Sequence, residues 1–250
     1  MKRNGVFIAG TDTGVGKTVV TAALVTLLRR EGLDAAPMKP VQTGCPRGEA
    51  RQRVPPDLEF VLQAAGMADC SSADRLLMCP YRFKAPCSPH LAAQREGREI
   101  DVGYVGECFN ALCRTRDVVV VEGAGGILVP LTADRMMLDL AAQFGIPVVL
   151  VSRPGLGTIN HTLLSLREMD RGGVRVLGVV LNDSTPARRG YIERDNEKTI
   201  ERLGRTVILG RLPFIGNPRG GSAELRPGAV SRRAELVRSA CVALRRFLRL

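Results

Sequence analysis

Gly10-Thr11-Asp12-Thr13-Gly14-Val15-Gly16-Lys17-Thr18 is the stretch whose reading decides the fold. It follows the apolar run Val6-Phe7-Ile8-Ala9 and precedes Val20, Ala23, Leu24, Leu27 and Leu28, which recur at helical spacing. Strand, glycine loop and helix in that order form a phosphate cradle. Glycine lets a polyphosphate lie against bare backbone amides, and the unpaired N–H groups and dipole of the new helix face the anion. Lys17 is then placed to neutralise phosphate charge, and the Thr18 hydroxyl to meet magnesium. The spacing is irregular, because five residues before Gly16 stands Thr11, with the glycine one position earlier at Gly10.

Outward from this loop the chain repeats one style. Short apolar runs at Ala35 to Met38, Val118 to Val121, Pro147 to Val151, Val176 to Leu181 and Val207 to Gly210 alternate with helix-sized segments. Runs apolar on both faces, joined by helices, predict an α/β fold of the P-loop NTPase type, a mostly parallel sheet with helices on both faces. The 250 residues are expected to form a single domain, 1–250. Residues 42–56 read as a polar loop, a helix begins at Asp57, and residues 79–98 read as irregular and rich in Pro and Arg.

The formal net charge is +11, and between Arg226 and Leu250 seven arginines face the single acid Glu235. Leu236, Val237, Ala240, Leu244, Phe247 and Leu248 keep a helical stripe there, so a basic amphipathic helix at about 229–250 is expected to pack on the body with a solvated arginine face. Aromatic residues do not interleave with the charge, which argues against a nucleic-acid surface. No apolar run reaches the roughly 20 residues of a membrane span, and no signal peptide is readable, so a cytoplasmic protein without membrane or nucleic-acid partners is expected. Seven cysteines without a C-x-x-C pair are expected to be reduced thiols used as small hydrophobes. His90 and His161 are expected to make structural hydrogen bonds.

In such a sheet ligands gather beyond the carboxyl ends of the strands. Lys17 and Thr18, Lys39, Glu122 and Asn182 all stand there. Glu122, opening Glu122-Gly123-Ala124-Gly125-Gly126, is placed either to hold magnesium or to cap the glycine turn. Asp57, after Pro55-Pro56, reads by itself as a helix N-cap. Gly155-Leu156-Gly157-Thr158 is a second glycine-rich helix start and a weak anion site by spacing alone.

Together with Lys39-Pro40-Val41, Pro80-Tyr81, Pro86 to His90, Ile159-Asn160-His161, Asn182-Asp183 and Leu212-Pro213, these segments resemble the dethiobiotin synthetase family, from about residue 5 to 215. The resemblance implies an enzyme, a cyclo-ligase with magnesium as cofactor and ATP as co-substrate. It joins carbon dioxide to 7,8-diaminononanoate through a carbamate and a carbamic-phosphoric anhydride, giving a cyclic urea, ADP and phosphate. It implies catalytic roles for Lys17 and Lys39, and magnesium at Thr18, Asp57 and Glu122. It implies nucleotide contacts from Thr13, Gly14, Val15, Gly16, Lys17, Thr18, Asp57, Glu122, Gly123, Ala124, Gly125, Asn182, Asp183 and Pro213. Thr43 is implied at the carbamate or diamine. Gly157, Thr158, Ile159 and Asn160 are implied at the diamine carboxylate, contributed by the neighbouring subunit of a homodimer. Two departures stand out. Position 14 is glycine where many members carry glutamate, and Val54-Pro55-Pro56 replaces the usual small polar approach to Asp57.

The alternative is a MinD- or ParA-like positioning ATPase acting on DNA or membrane. Its loop carries a signature lysine where this chain has Asp12. A corrinoid amidoligase would need a glutamine-hydrolysing domain, for which no segment remains.

Overall fold

The computed structural model describes residues 4–48, 52–183, 190–214, 227–232 and 234–248. Six parallel strands form its sheet: β1 (Gly5–Gly10), β2 (Ala35–Met38), β5 (Val118–Glu122), β6 (Val148–Ser152), β7 (Val176–Asn182) and β8 (Ile208–Leu212). Their order is β2-β5-β1-β6-β7-β8. β1, β2, β5 and β6 are buried along their whole length, so both faces of the sheet are covered. Pro37 is tolerated in β2 because that strand lies at the sheet's edge. The chain winds outward in both directions from β1, which brings the carboxyl ends of β1, β2 and β5 side by side.

The covering helices form two groups. α1 (Lys17–Arg30) packs against α2 (Pro56–Ala64), α9 (Pro227–Arg232) and α10 (Arg238–Leu248). Elsewhere α5 (Val102–Thr115) packs on α3 (Ser72–Met78) and α6 (Met137–Phe144), and α7 (Thr158–Arg171) on α8 (Tyr191–Gly204). Phe109 of α5 stacks on Phe144 of α6 at 4.3 Å, and Phe144 leans on Phe7 of β1. That aromatic cluster ties β1 to α5 and α6 on one face of the sheet.

The stretch 79–98, expected to be irregular, carries a strand and a helix. β3 (Val41–Gln42) pairs in parallel with β4 (Tyr81–Arg82), and α4 (Pro89–Arg95) follows. Two-residue strands are too short for periodicity to reveal, so loop composition missed β4 and α4 within 79–98, whereas 43–48 and 52–55 are loop as expected, with one isolated bridge between Arg47 and Arg53. The pairing of β3 with β4 holds the chain after Lys39 against the Pro86 to Pro89 segment: Gly44 N donates to Ala85 O and Cys45 N to Phe83 O.

The basic tail also differs from expectation. Arg238 and Arg245 reach Glu31 at 3.2 and 2.8 Å, at the end of α1, rather than standing only in solvent. Ala234, Val237, Ala240, Cys241 and Leu244 are buried, whereas Leu236 of the anticipated stripe is exposed. It lies in a 3-10 turn (Ala234–Val237), whose three-residue period swings it off the helical face. Residues 233, 249 and 250 of the expected tail helix lie outside the described residues, as do the side chains of Phe247 and Leu248. Neither histidine has the structural bond anticipated: His90 Nδ1 is buried without a partner and His161 is exposed. All seven cysteines are free thiols.

Candidate active site

A cavity of about 650 Å³ opens at the carboxyl ends of β1, β2 and β5. Its floor is the glycine loop. Gly16, at φ 98°, ends that loop as the N-cap of α1 without a side-chain cap, leaving the first amides of the helix free for an anion. Asn182 at the tip of β7 lies beneath, its Nδ2 donating to the Val15 carbonyl at 3.1 Å. Lys17 folds back over the loop, and its Nζ donates to the Asp12 carbonyl at 3.0 Å. A Cβ on residue 10 would stand 2.9 Å from that Nζ, which accounts for the off-pattern glycine. Burial, reinforced by the charge of Lys39, brings the Lys17 ammonium down to about 8.

Lys39, 5% exposed just past β2, is the centre of the wall. Its Nζ donates to Glu122 Oε1 at 2.6 Å, to the Gly123 carbonyl at 3.3 Å, and pairs with Asp57 Oδ2 at 2.8 Å. Glu122 Oε1 also accepts from the Thr18 hydroxyl at 2.8 Å. Burial works against the Lys39 charge, but Glu122 and Asp57 together carry its pKa above the ordinary lysine value. Burial likewise opposes ionisation of Asp57, and the Lys39 charge overcomes it, holding that carboxyl low. Glu122 is pushed up by burial, with Lys39 and Thr18 opposing.

Asp57 is not the N-cap that its sequence context suggests. Pro55 occupies the cap, Pro56 the first helical position, and Asp57 sits in the first turn with its carboxylate on Lys39. The Val54-Pro55-Pro56 approach therefore caps α2 two positions earlier than expected and leaves Asp57 lining the cavity.

Thr13, Gly14, Gly16, Lys17 and Thr18 line one side of the cavity; Lys39, Thr43, Asp57, Glu122, Ala124 and Gly125 line the rest. The loop amide of Val15 and the Gly123 carbonyl lie behind this surface. Asp183 and Pro213 stand elsewhere, Asp183 held by Arg211 at 2.8 Å and Pro213 exposed. Gly157 to Asn160 also lie off the cavity. There Gly157, at φ 87°, starts α7. Thr158 turns inward to Ser152 at 2.8 Å, and Asn160 is exposed.

Sequence reasoning gave no role to Gln42 or Cys87, both of which line the cavity. Gln42 hydrogen-bonds Asp57 and leaves its Oε1 buried without a partner. Its place directly beyond the Lys39-Pro40-Val41 run was the available signal.

Thr18, Asp57 and Glu122 are hard oxygen donors, the kind magnesium takes. Both carboxylates already converge on one cation, the Lys39 ammonium, so the position suits positive charge. Among the described residues no three His, Cys, Asp or Glu side chains gather as a protein-only metal cage. Two carboxylates and a hydroxyl fit a magnesium ion that completes its shell from phosphates and water.

A family model described as an AAA domain matches residues 4–217. An ATP-dependent dethiobiotin synthetase BioD from Anaeromyxobacter dehalogenans (strain 2CP-C) is 48% identical over 210 residues, covering 84% of this chain and 90% of the relative. One from Bradyrhizobium sp. (strain BTAi1) is 42% identical over 230 residues, 92% of this chain and 97% of its own. Among solved structures, the septum site-determining protein MinD complexed with Mg-ADP from Pyrococcus horikoshii superposes with a TM-score of 0.58 at 16% identity, covering 99% and 96% of the two chains. At that identity the likeness shows the fold alone, a P-loop NTPase-like single domain.

Proposed function

The chain belongs to the ATP-dependent dethiobiotin synthetase family of carbon–nitrogen ligases, and from that premise we propose that it closes 7,8-diaminononanoate and carbon dioxide into a cyclic urea at this cavity. One observation carries the assignment to these residues: Lys39 Nζ, Asp57, Glu122 and Thr18 meet within hydrogen-bonding distance directly across from the phosphate-loop lysine.

The chemistry needs little covalent help. One amine adds to carbon dioxide and loses a proton, giving a carbamate. A carbamate oxygen takes the γ-phosphoryl group of ATP, and ADP leaves. The second amine then attacks the carbamoyl carbon; the new C–N bond forms, the C–O bond to phosphate breaks, and phosphate and a proton depart. The protein must hold two anions together and fix an amine for attack.

Lys17 and the amides of Thr13 to Thr18 grip the phosphates, and Lys39 bridges the carbamate and the migrating phosphoryl group. Thr18, Asp57 and Glu122 hold magnesium, which when bound neutralises phosphate charge. Thr43 hydrogen-bonds the carbamate or diamine, while Gly123 to Gly125 shape the wall beside the nucleotide. Asn182, Asp183 and Pro213 border the base. The Gly157 to Asn160 turn serves the diamine carboxylate in the partner's cavity of a homodimer. Gly157 and Asn160 of that turn are exposed and lie away from this protomer's own cavity, whereas Thr158 is buried. Among the described residues no helix is long and apolar enough to cross a membrane.

The test is incubation with ATP, magnesium, bicarbonate and the diamine, with product mass as readout. A product heavier than the diamine by one carbonyl and lighter by two hydrogens is expected, with one ADP per ring. ATP hydrolysis stimulated by DNA, without a cyclic urea, would overturn the assignment.

A further inference from the structure

Lys39 has three N–H donors, and all three are taken. Asp57, Glu122 and the Gly123 carbonyl each occupy one, at 2.8, 2.6 and 3.3 Å. In this arrangement the ammonium has no donor left for a carbamate or a phosphoryl oxygen. The two carboxylates in contact with it are also the two that fit magnesium, and the Thr18 hydroxyl is bonded to the same Glu122 oxygen. Lysine and metal therefore compete for one set of oxygens.

We propose that Lys39 is the resident cation of the metal position and that it is released toward substrate only when a divalent cation takes over Asp57 and Glu122. Glu122 is buried, and Asp57, its side chain 34% exposed, lines the same cavity. A buried carboxylate without a cation is strongly disfavoured, so Lys39 holds Glu122, with Asp57 beside it, in the free protein. A divalent ion arriving with the nucleotide carries more charge into the same oxygens, and the four-carbon stem of Lys39 lets its head swing away into the cavity. This device rests on the ligase reading for the identity of what Lys39 meets next, but its first half concerns only metal and lysine.

The test compares the wild-type protein with Lys39→Met, without nucleotide or diamine. Manganese binding is followed by electron paramagnetic resonance and thermal stability by unfolding in magnesium. The variant is expected to bind manganese at least about tenfold more tightly than wild type, since the competing charge is gone. Its melting temperature, lowered by the unpaired carboxylates, is expected to recover in magnesium alone. Equal manganese affinity in the two proteins, or no thermal response of the variant to magnesium, overturns the proposal.

Should the variant not fold, the wild type carries the test through mass-spectrometric acetylation of Lys39. Labelling is expected to be slow in the free protein and several-fold faster with Mg-ADP, which leaves the γ-phosphate position open. An unchanged rate overturns the proposal. None of these measurements scores the cyclic urea, so a failed ligase assay leaves them standing, and a failed metal test leaves the ligase reading intact.

Discussion

Two glycine turns stand side by side in this molecule, on neighbouring strands, and they share one backbone device. Gly16 starts α1 and Gly157 starts α7, at φ 98° and 87°, each without a side-chain cap. β1 and β6, which feed them, are paired. Thr11 of the first turn bonds Ser152 beneath the second at 3.4 Å. Their surroundings differ in charge. Around Gly16 stand Lys17, Lys39 and Glu122, all buried; under Gly157 stand the hydroxyls of Ser152, Thr158 and Thr162, bonded to one another at 2.8 to 3.3 Å. A helix start offers amides to an anion in either place. Only the first has the charges needed to move a phosphoryl group, so the neighbouring strands, and not the turn, decide what the device does.

The largest expected effect removes that charge. Lys39→Ala should lower cyclic-urea formation by about a thousandfold, the scale of losing one preorganised charge contact at the reacting group. ATP affinity, measured by calorimetry, should stay within an order of magnitude, because the proposed contacts of Lys39 are with the transferred group. Turnover near that of the wild type would remove Lys39 from the chemistry and erase the contrast between the turns.

Adding a methyl group tests the turns themselves. In Gly16→Ala the new Cβ would stand 2.6 Å from Asn182 Cγ, at a φ that L-residues avoid. Backbone strain and overpacking together should cost about 3 kcal/mol in a denaturant titration, with nucleotide binding lost. In Gly157→Ala nothing lies within 4 Å of the new atom. Only the strain of the left-handed backbone remains, about 1 kcal/mol. Equal costs would show that the packing under the first turn is not what makes it rigid.

The first turn was legible in the sequence because its parts are contiguous: apolar strand, glycines, lysine, helix. The sheet was legible for the same reason, since Val118 to Val121 and Val176 to Leu181 carry their burial in their composition. What could not be read was whatever depends on distant segments meeting. Gln42 belongs to a two-residue strand made only by pairing with Tyr81 and Arg82. Asp57 looked like a cap because its partner, Lys39, is eighteen positions away and meets it only through the fold. Glu31 gave no sign of receiving Arg238 and Arg245 across more than two hundred residues. The resemblance carried Asp57 and Thr43 to the cavity where spacing did not, because family motifs encode the outcome of folding.

A smaller effect follows from the lowered pKa of Lys17. Below about pH 8 its ammonium is already charged in the free protein, and nucleotide affinity should be flat. Above that value the free protein holds neutral Lys17, which must take up a proton to meet phosphate, so affinity should fall as pH rises, by about tenfold at pH 9. The check is calorimetry in buffers of different ionisation enthalpy, which counts the protons taken up. The second turn has no lysine, so an anion bound there should show no such step.

The smallest effect concerns an ion pair that spans the two turns. Arg153, just beyond β6, approaches Asp12 of the phosphate loop at 3.6 Å, with both side chains about half exposed. Water screens such a pair, and two long side chains lose freedom to form it, so its coupling in a double-mutant cycle of Asp12→Asn and Arg153→Gln should be below about 0.5 kcal/mol. A coupling well above that, persisting at high salt, would mean that the two turns behave as one unit. The part-buried link from Thr11 to Ser152 would then have to be transmitting through the charged pair as well. The expected near-zero value instead keeps them as separate devices on a shared scaffold, one chemically equipped and one not.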